Sequence, residues 1–386
     1  MKQLMIITSY FPPEIGAASN RIYHLAEGLK NDYDVSVVTP LPNYPTGKIF
    51  KVYQGKFSAT TIENGIKINR LWIYASVSKN KFLRLIAMLS YSFSLIWFFM
   101  WHKIPDKVIV QSPPLLVSFT CMFFLRSKKR KLILNVSDLW PSAGLELGAL
   151  KEGFAYNMLK KLEAFNYKKA DLILGQSNEI LTHVKTITTK PQLFLYRNFP
   201  EIELPKLMEK SASNGKIKMV YAGLLGVAQG IHKLCNEIDY ETIEFHIYGS
   251  GAEEEAIKNL IASKKDLPLY FHGRVNRDEL HKVLLTYDLT IIPLLNRIYG
   301  SVPSKIFEYA KLGLPMLYFG GGEGEGLIKK NSLGWVANEG NYDDLNTVLK
   351  SISAQHLNLE LKTAIQDTAS IQFDFKKQLT ALKAVI

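Results

Sequence analysis

"QLMIITSYFPPEIGAASNRIYHLAEGL", residues 3–29, decides the fold. An apolar run enters this stretch as a strand, and an amphipathic pattern leaves it as a helix. Between them Pro12 and Pro13 fix the exit from the strand, and Gly16-Ala17-Ala18 leave the helix start almost bare of side chains. A turn that is stiff first and bare afterwards suits an anion lying against the backbone. It suits close packing of helix on sheet equally well, and the stretch alone leaves both readings open. It is not a G-x-G-x-x-G, so it signals no dinucleotide site.

The alternation continues outward from there. Strands are predicted at 3–8, 34–39, 107–111, 132–136, 172–175 and 192–196, with helices at 17–29, 114–125, 153–169 and 178–185. "KFSATTIENGIKINRLWIY" holds Asn64-Gly65 between β-rich runs and reads as a hairpin. Apolar strands separated by helices imply a parallel sheet covered on both faces. Residues 197–216 change texture: "NFPEIELPKLMEKSASNG" is polar, holds two prolines and reads as a linker. A second alternation follows, with strands at 217–222, 243–248, 269–272, 289–293, 316–319 and 335–337. The expectation is α/β: two doubly wound Rossmann-like domains, at 1–200 and 201–370, with a helix at 371–386 packing back on the first. Ligands in such sheets bind at the carboxyl ends of the strands.

The bulk numbers agree. A chain of 386 residues is too long for one ordinary core. Lys and Arg total 47 against 35 Asp and Glu, a net charge of +12 that fits a phosphate-bearing partner. Cys121 and Cys235 form no disulfide framework or zinc spacing, which points to a reducing cytoplasm. No nucleic-acid-binding motif accompanies the charge. The histidines show no metal spacing, and Asp32-x-Asp34 falls at the amino end of a strand, away from any site.

Four further turns carry chemistry. "VYAGLLGVAQGI" places Gly223, Gly226 and Gly230 after the first strand of the second domain. "HIYGSGAEEEAI" and "YFHGRVNRDEL" follow later strands. In "NRIYGSVPSKIFEYAKLGLP", Pro303 and Ser304 suit the first turn of a helix and Lys305 adds a cation beside free N–H groups. Glu308 lies one turn after Ser304 on the same face, where a carboxylate can accept hydrogen bonds from two vicinal hydroxyls. Its neighbours Ile306, Phe307, Tyr309 and Ala310 leave little polar face for a merely solvated residue.

These segments, with "VVTPLPNYPTGKI", "SDLWP" and "GGGEGEGLI", run in order over nearly the whole chain. They resemble the GT-B fold retaining glycosyltransferases of family 4, in particular the L-fucosamine transferases of bacterial O-antigen and capsule biosynthesis. The resemblance implies a UDP-sugar in a cleft between the domains, held mostly by the second. Gly273, Arg274 and Val275 would meet the base, Glu308 the ribose, and Ser304 with Lys305 the diphosphate. Gly16 and Ala17 would close on the phosphates; Gly226, Gln229, Gly249, Arg297, Val302 and Pro303 complete the implied donor contacts. Two residues depart from the family pattern. Gly300 stands where the first acid of a Glu-x7-Glu pair is usual, and Gln229 where a lysine is usual, so charge neutralisation falls on Lys305 with Arg297.

On the acceptor side the expected residues are Asn20, Arg21, Asp138 and Trp140. Asp138 ends a strand at the carboxyl edge, where it can take a proton from an acceptor hydroxyl, orient it, or simply form an Asx turn. Lys305, Glu308 and Asp138 are the expected catalytic set, with no metal and no cofactor. The implied acceptor is a polyprenyl-diphosphate-linked glycan. "FLRLIAMLSYSFSLIWFFMW", residues 82–101, is long enough to span a membrane but falls between strands of one domain. It therefore reads as a core helix or as one lying in the membrane interface, with Trp97, Phe98 and Trp101 facing lipid. Lys79, Lys81, Arg84 and "RSKKRK" at 126–131 would add attraction to an anionic surface. The expectation is a peripheral protein on the cytoplasmic face of the membrane. A nucleotide-sugar epimerase or hydrolase of the same fold, or a non-catalytic nucleotide-sugar-binding partner of another transferase, are the alternatives.

Overall fold

The computed structural model describes residues 1–386 apart from 79, 209–214, 227–228 and 296–297. Its described residues form two compact units. The first comprises Met1–Asn198, Tyr299–Ser301 and Lys376–Ile386, and the second Phe199–Ile298 and Val302–Phe375.

Eight strands build the first unit: β1 (Lys2–Ile7), β2 (Tyr33–Pro40), β3 (Ser58–Glu63), β4 (Ile66–Leu71), β5 (Lys107–Ser112), β6 (Lys131–Val136), β7 (Leu172–Gly175) and β8 (Gln192–Leu195). They order as β3-β4-β2-β1-β5-β6-β7-β8, and every pairing is parallel except the hairpin β3-β4. Asn64 and Gly65 both have positive φ, as a two-residue hairpin turn demands. The interior strands are apolar because helices cover them: Leu4, Ile6 and Ile7 of β1 and Ile133 and Leu134 of β6 are all at 0% exposure. The helix Ala17–Leu29 buries Ile22, Leu25, Ala26 and Leu29, and Asp32 after it pairs with Lys383.

The helix Lys81–Trp101 resolves the two readings of this segment into its two faces. Tyr91, Leu95 and Phe98 belong to the core, and the Tyr91 hydroxyl donates to the carbonyls of Thr8 and Val38. Phe82, Leu85, Leu89, Phe93, Trp97, Met100 and Trp101 recur at helical spacing on the opposite side and are exposed. Phe98 therefore corrects the expectation that it faces outward: it is buried and stacks on His102, because it falls on the Tyr91–Leu95 stripe. Lys79 and the side chains of Lys81 and Arg84 lie outside the described residues. Among the described residues no helix is long and apolar enough to cross a membrane.

The second unit holds β9 (Ile217–Leu224), β10 (Ile243–Ser250), β11 (Leu269–Gly273), β12 (Leu289–Pro293), β13 (Met316–Phe319) and β14 (Gly334–Ala337). Their order is β11-β10-β9-β12-β13-β14, parallel throughout. Side chains alternate between two apolar layers: Met219 and Tyr221 of β9 enter one, Val220 and Ala222 the other. The order turns at β9 and β12, so their carboxyl ends mark the switch point where such sheets take ligands.

Candidate active site

Lys305 and Glu308 sit on the short helix Lys305–Lys311, anchored by Ile306, Phe307, Tyr309 and Ala310 in the core. The Lys305 ammonium lies 4.4 Å from the centre of the Tyr221 ring. It also lies so close over Gly223 that a Cβ there would collide with Nζ. Burial pushes its pKa down to about 8, against the pull of the nearby Glu308 carboxylate. A cation held half-buried against an aromatic ring, one turn from a carboxylate, is a poised charge, and such groups concentrate where ligands bind.

The Glu308 carboxylate accepts a hydrogen bond from His281 Nε2 at 2.6 Å, and both side chains are 19% exposed. His281 escaped the sequence reading: it lies 27 residues before Glu308, and nothing local ties the two. Tyr221 was missed too; its hydroxyl donates to the Leu224 carbonyl at 2.6 Å, and Tyr309 donates to the Ala222 carbonyl at 3.2 Å. The two phenols pin the end of β9 where Gly223 passes under Lys305.

The remaining donor-side residues fall as follows. The Gln229 N–H donates to the Gly226 carbonyl at 3.0 Å, and Gln229 Oε1 is buried without a hydrogen-bond partner. An orphaned acceptor of that kind suits an incoming donor group. Gly249 has φ +149, and a Cβ there would strike the Gly223 carbonyl, so its bareness is explained by the neighbouring strand. Gly273 ends β11 where a Cβ would meet nothing within 4 Å, Arg274 after it is exposed, and Val275 is half-buried. Ser304 enters the helix with helical φ and ψ and makes no side-chain cap bond. Val302 is in the core and Pro303 half-buried, while Arg297 lies outside the described residues. Among the described residues no group of three His, Cys, Asp or Glu could hold a metal ion.

A second polar cluster occupies the carboxyl edge of the first unit's sheet. Arg21, 3% exposed, donates to Asn135 Oδ1 at 2.8 Å, to Gln176 Oε1 at 3.1 Å and to the Tyr196 carbonyl at 3.2 Å. Burial lowers its pKa to about 10, so it keeps its charge. Arg21 Nε and Asn135 Nδ2 are buried without partners. Asp138, at the end of β6, has its carboxyl pKa raised by burial, with Arg21 opposing the rise. Trp140 packs over Gly144 of its own short helix, and Asn20 is half-buried on the helix Ala17–Leu29.

The opening turn has an internal anchor that the sequence did not reveal. Glu14, 2% exposed, accepts the N–H groups of Asn43 and Tyr44, each at 2.8 Å. Burial raises its pKa, and these backbone bonds lower it. Gly16 is extended, and a Cβ on it would make only an ordinary contact with Tyr44, so the unit itself does not require a glycine there. Ala17 beside it is exposed.

Comparison with known proteins fits this geometry. Residues 214–354 match glycosyl transferases group 1. Apart from 299–301, the matched segment falls in the second unit, and it includes Gly223, His281, Lys305 and Glu308. The probable glycosyltransferase WbjE of Pseudomonas aeruginosa is 25% identical over 246 residues, 60% of this chain and 62% of its own, so the match spans under two thirds of that relative. Among solved structures, sucrose-phosphate synthase from Thermosynechococcus elongatus superposes with a TM-score of 0.76 at 11% identity, over 100% of this chain and 98% of its own. Anabaena HepE in complex with UDP and glucose gives 0.67 at 14%, over 100% and 99%. The lipopolysaccharide outer core galactosyltransferase WaaB gives 0.68 at 15%, over 100% of both chains. The fold is that of GT-B glycosyltransferases, with two α/β units on parallel sheets.

Proposed function

We propose that this chain is a retaining glycosyltransferase that moves a sugar from UDP to a lipid-linked glycan during bacterial surface-polysaccharide assembly. The observation that carries the reading is the placing of a half-buried Lys305 with Glu308 on one helix beside Gly223, at the switch point of the second unit's sheet. Glu308 accepts the ribose hydroxyls, exchanging its bond from His281 for theirs. Lys305 neutralises the diphosphate as it leaves, a role in which a preformed charge in a dry site acts most strongly. That charge makes a divalent ion unnecessary. The backbone at 273–275 receives the base. HepE, crystallised with UDP and glucose, supports the choice of nucleotide, and WaaB supports the polysaccharide setting.

The acceptor meets Asp138, whose raised pKa suits it to take up a proton from the attacking hydroxyl or to orient that hydroxyl for proton transfer to the donor phosphate. The sugar is an N-acetylated deoxy-hexose, as in the L-fucosamine transferases of family 4 that the motifs resemble. The protein works on the cytoplasmic face of the membrane. It meets the bilayer through the exposed apolar stripe of the helix Lys81–Trp101 and the basic segment 126–131.

Mass spectrometry of products from a UDP-sugar panel with polyprenyl-diphosphate-linked acceptors tests the reading. Transfer to the lipid is expected. Release of free sugar without acceptor would make the protein a hydrolase, and UDP binding with no turnover across the panel would make it a non-catalytic binder.

A further inference from the structure

The Asp138 carboxylate, which takes up the acceptor's proton in the proposed reaction, accepts no hydrogen bond from the described residues. The Trp140 N–H that an Asx turn would direct to it goes instead to the Asp138 carbonyl, at 3.2 Å. The side chain is therefore held only through its own backbone. That backbone is pinned one residue earlier, from two sides. Ser137 N–H donates to the Ser112 carbonyl at 2.9 Å, and the Ser137 hydroxyl donates to the same carbonyl at 3.2 Å. From the other side Gln176 Nε2 donates to the Ser137 carbonyl. Gln176 follows β7 directly, and its Oε1 accepts from Arg21 at 3.1 Å. One amide thus links the guanidinium to the peptide that carries Asp138.

Arg21 is itself anchored to three strand ends. It donates to Asn135 of β6, to Gln176 just beyond β7 and to the Tyr196 carbonyl just beyond β8. Its guanidinium also lies 5.6 Å from the centre of the Tyr196 ring. Every one of these partners is neutral. A buried cation with no bonded carboxylate keeps its field for what lies nearby. Among the described residues, Asp138 and Tyr196 are the titratable groups that act on Arg21, and Arg21 is the charged group that acts on Asp138.

We propose that Gln176 and Arg21 are positioning residues for Asp138. Gln176 fixes the peptide from which the carboxylate projects. Arg21 fixes Gln176, and its charge favours the anion that can accept a proton. Arg21 then serves the acceptor through Asp138 rather than by contact. The inference rests on the proton-accepting reading of Asp138, and all of its residues belong to the first unit.

The test uses the full chain with Arg21→Lys, Arg21→Met and Gln176→Met, each checked by a thermal melt. Difference infrared spectroscopy against Asp138→Asn isolates the Asp138 carboxyl band and titrates it without turnover. Initial rates of transfer to a polyprenyl-diphosphate-linked acceptor give the pH profile. In Arg21→Met the carboxyl should titrate roughly one pH unit or more above wild type, as loss of a nearby opposite charge requires. The acid limb of kcat/KM for the acceptor should move up with it. Arg21→Lys, which keeps the charge, should titrate close to wild type. Gln176→Met also keeps the charge but loses the hold on Ser137. Its acid limb should stay in place while kcat falls roughly tenfold or more at every pH, as a small misplacement of a reacting group costs. An Asp138 titration unmoved in Arg21→Met, or moved equally in Arg21→Lys, would overturn the charge role. Gln176→Met transferring at the wild-type rate would overturn the hold on the peptide. If Arg21→Met is unfolded at the assay temperature, Arg21→Gln takes its place with the same expectation. If wild type transfers no sugar, the transfer reading fails, and the infrared titration alone decides the role of Arg21.

Discussion

Replacing Lys305 with methionine should make the ligand-free protein more stable and its function worse. The side chains have similar length, so packing is kept while the charge is removed. A fall in the lysine pKa from 10.5 to about 8 on folding corresponds to about 3 kcal/mol spent holding the ammonium in a poorly solvated place. Solvent reaching the partly exposed side chain reduces the recoverable part to about 1–3 kcal/mol. The sign follows from proton binding. Between pH 8 and 10.5 the unfolded chain holds more protons at this residue than the folded one, so wild-type stability gains from this group as pH rises through that window. Below pH 8 both states are protonated and the penalty is fully present. Lys305→Met should therefore exceed wild type by about 1–3 kcal/mol at pH 7, and the difference should vanish toward pH 10.5. Urea unfolding of both proteins at several pH values, with and without UDP, measures this. UDP should stabilise wild type and leave the variant nearly unmoved. A variant less stable than wild type at pH 7, or one that UDP stabilises equally, would refute the reasoning.

Glu308→Ala should weaken UDP by about 1–3 kcal/mol in calorimetry through loss of charge-assisted bonds to the ribose, while His281→Ala should change it by less than tenfold, since His281 only occupies the carboxylate before the nucleotide arrives. Asp138→Asn should lower transfer by about 100-fold or more and leave UDP affinity unchanged, read by initial rates beside the same titration. EDTA should leave the wild-type rate intact, and a rate restored only by added Mg²⁺ or Mn²⁺ would contradict the role given to Lys305. Trp97→Ser with Trp101→Ser should reduce co-sedimentation with anionic vesicles without lowering the melting temperature, because both are exposed; Phe98→Ala should instead destabilise the fold by about 3–5 kcal/mol.

The strands were legible because each is a short apolar run bounded by turn residues, and Asn64-Gly65 named its hairpin outright. Lys305 and Glu308 were legible because four core residues surround them in the sequence. What stayed hidden depends on residues far apart in the chain. Glu14 could not be matched to the backbone of Asn43 and Tyr44, nor His281 to Glu308, since neither pair shares an element. That two strand ends approach at Gly249 was hidden as well, since only the neighbouring carbonyl of Gly223 reveals it. In the helix Lys81–Trp101 a mostly apolar composition concealed the period, because apolar residues stand on both the core-facing and the outward-facing side.

The C-terminal segment Lys376–Ile386 belongs to the first unit, and this bears on how the protein can be divided. Cutting after Asn198 would not release a free-standing first half. Such a fragment would lack Leu379, which packs so closely on Gly28 that even an alanine there would collide with it. It would lack Gln378, whose amide bonds the Arg197 backbone in both directions, and the carbonyl of Ile386 that Lys107 holds. The first unit is complete only when Lys376–Ile386 have been made, so the ribosome must pass through the second unit before the first can close.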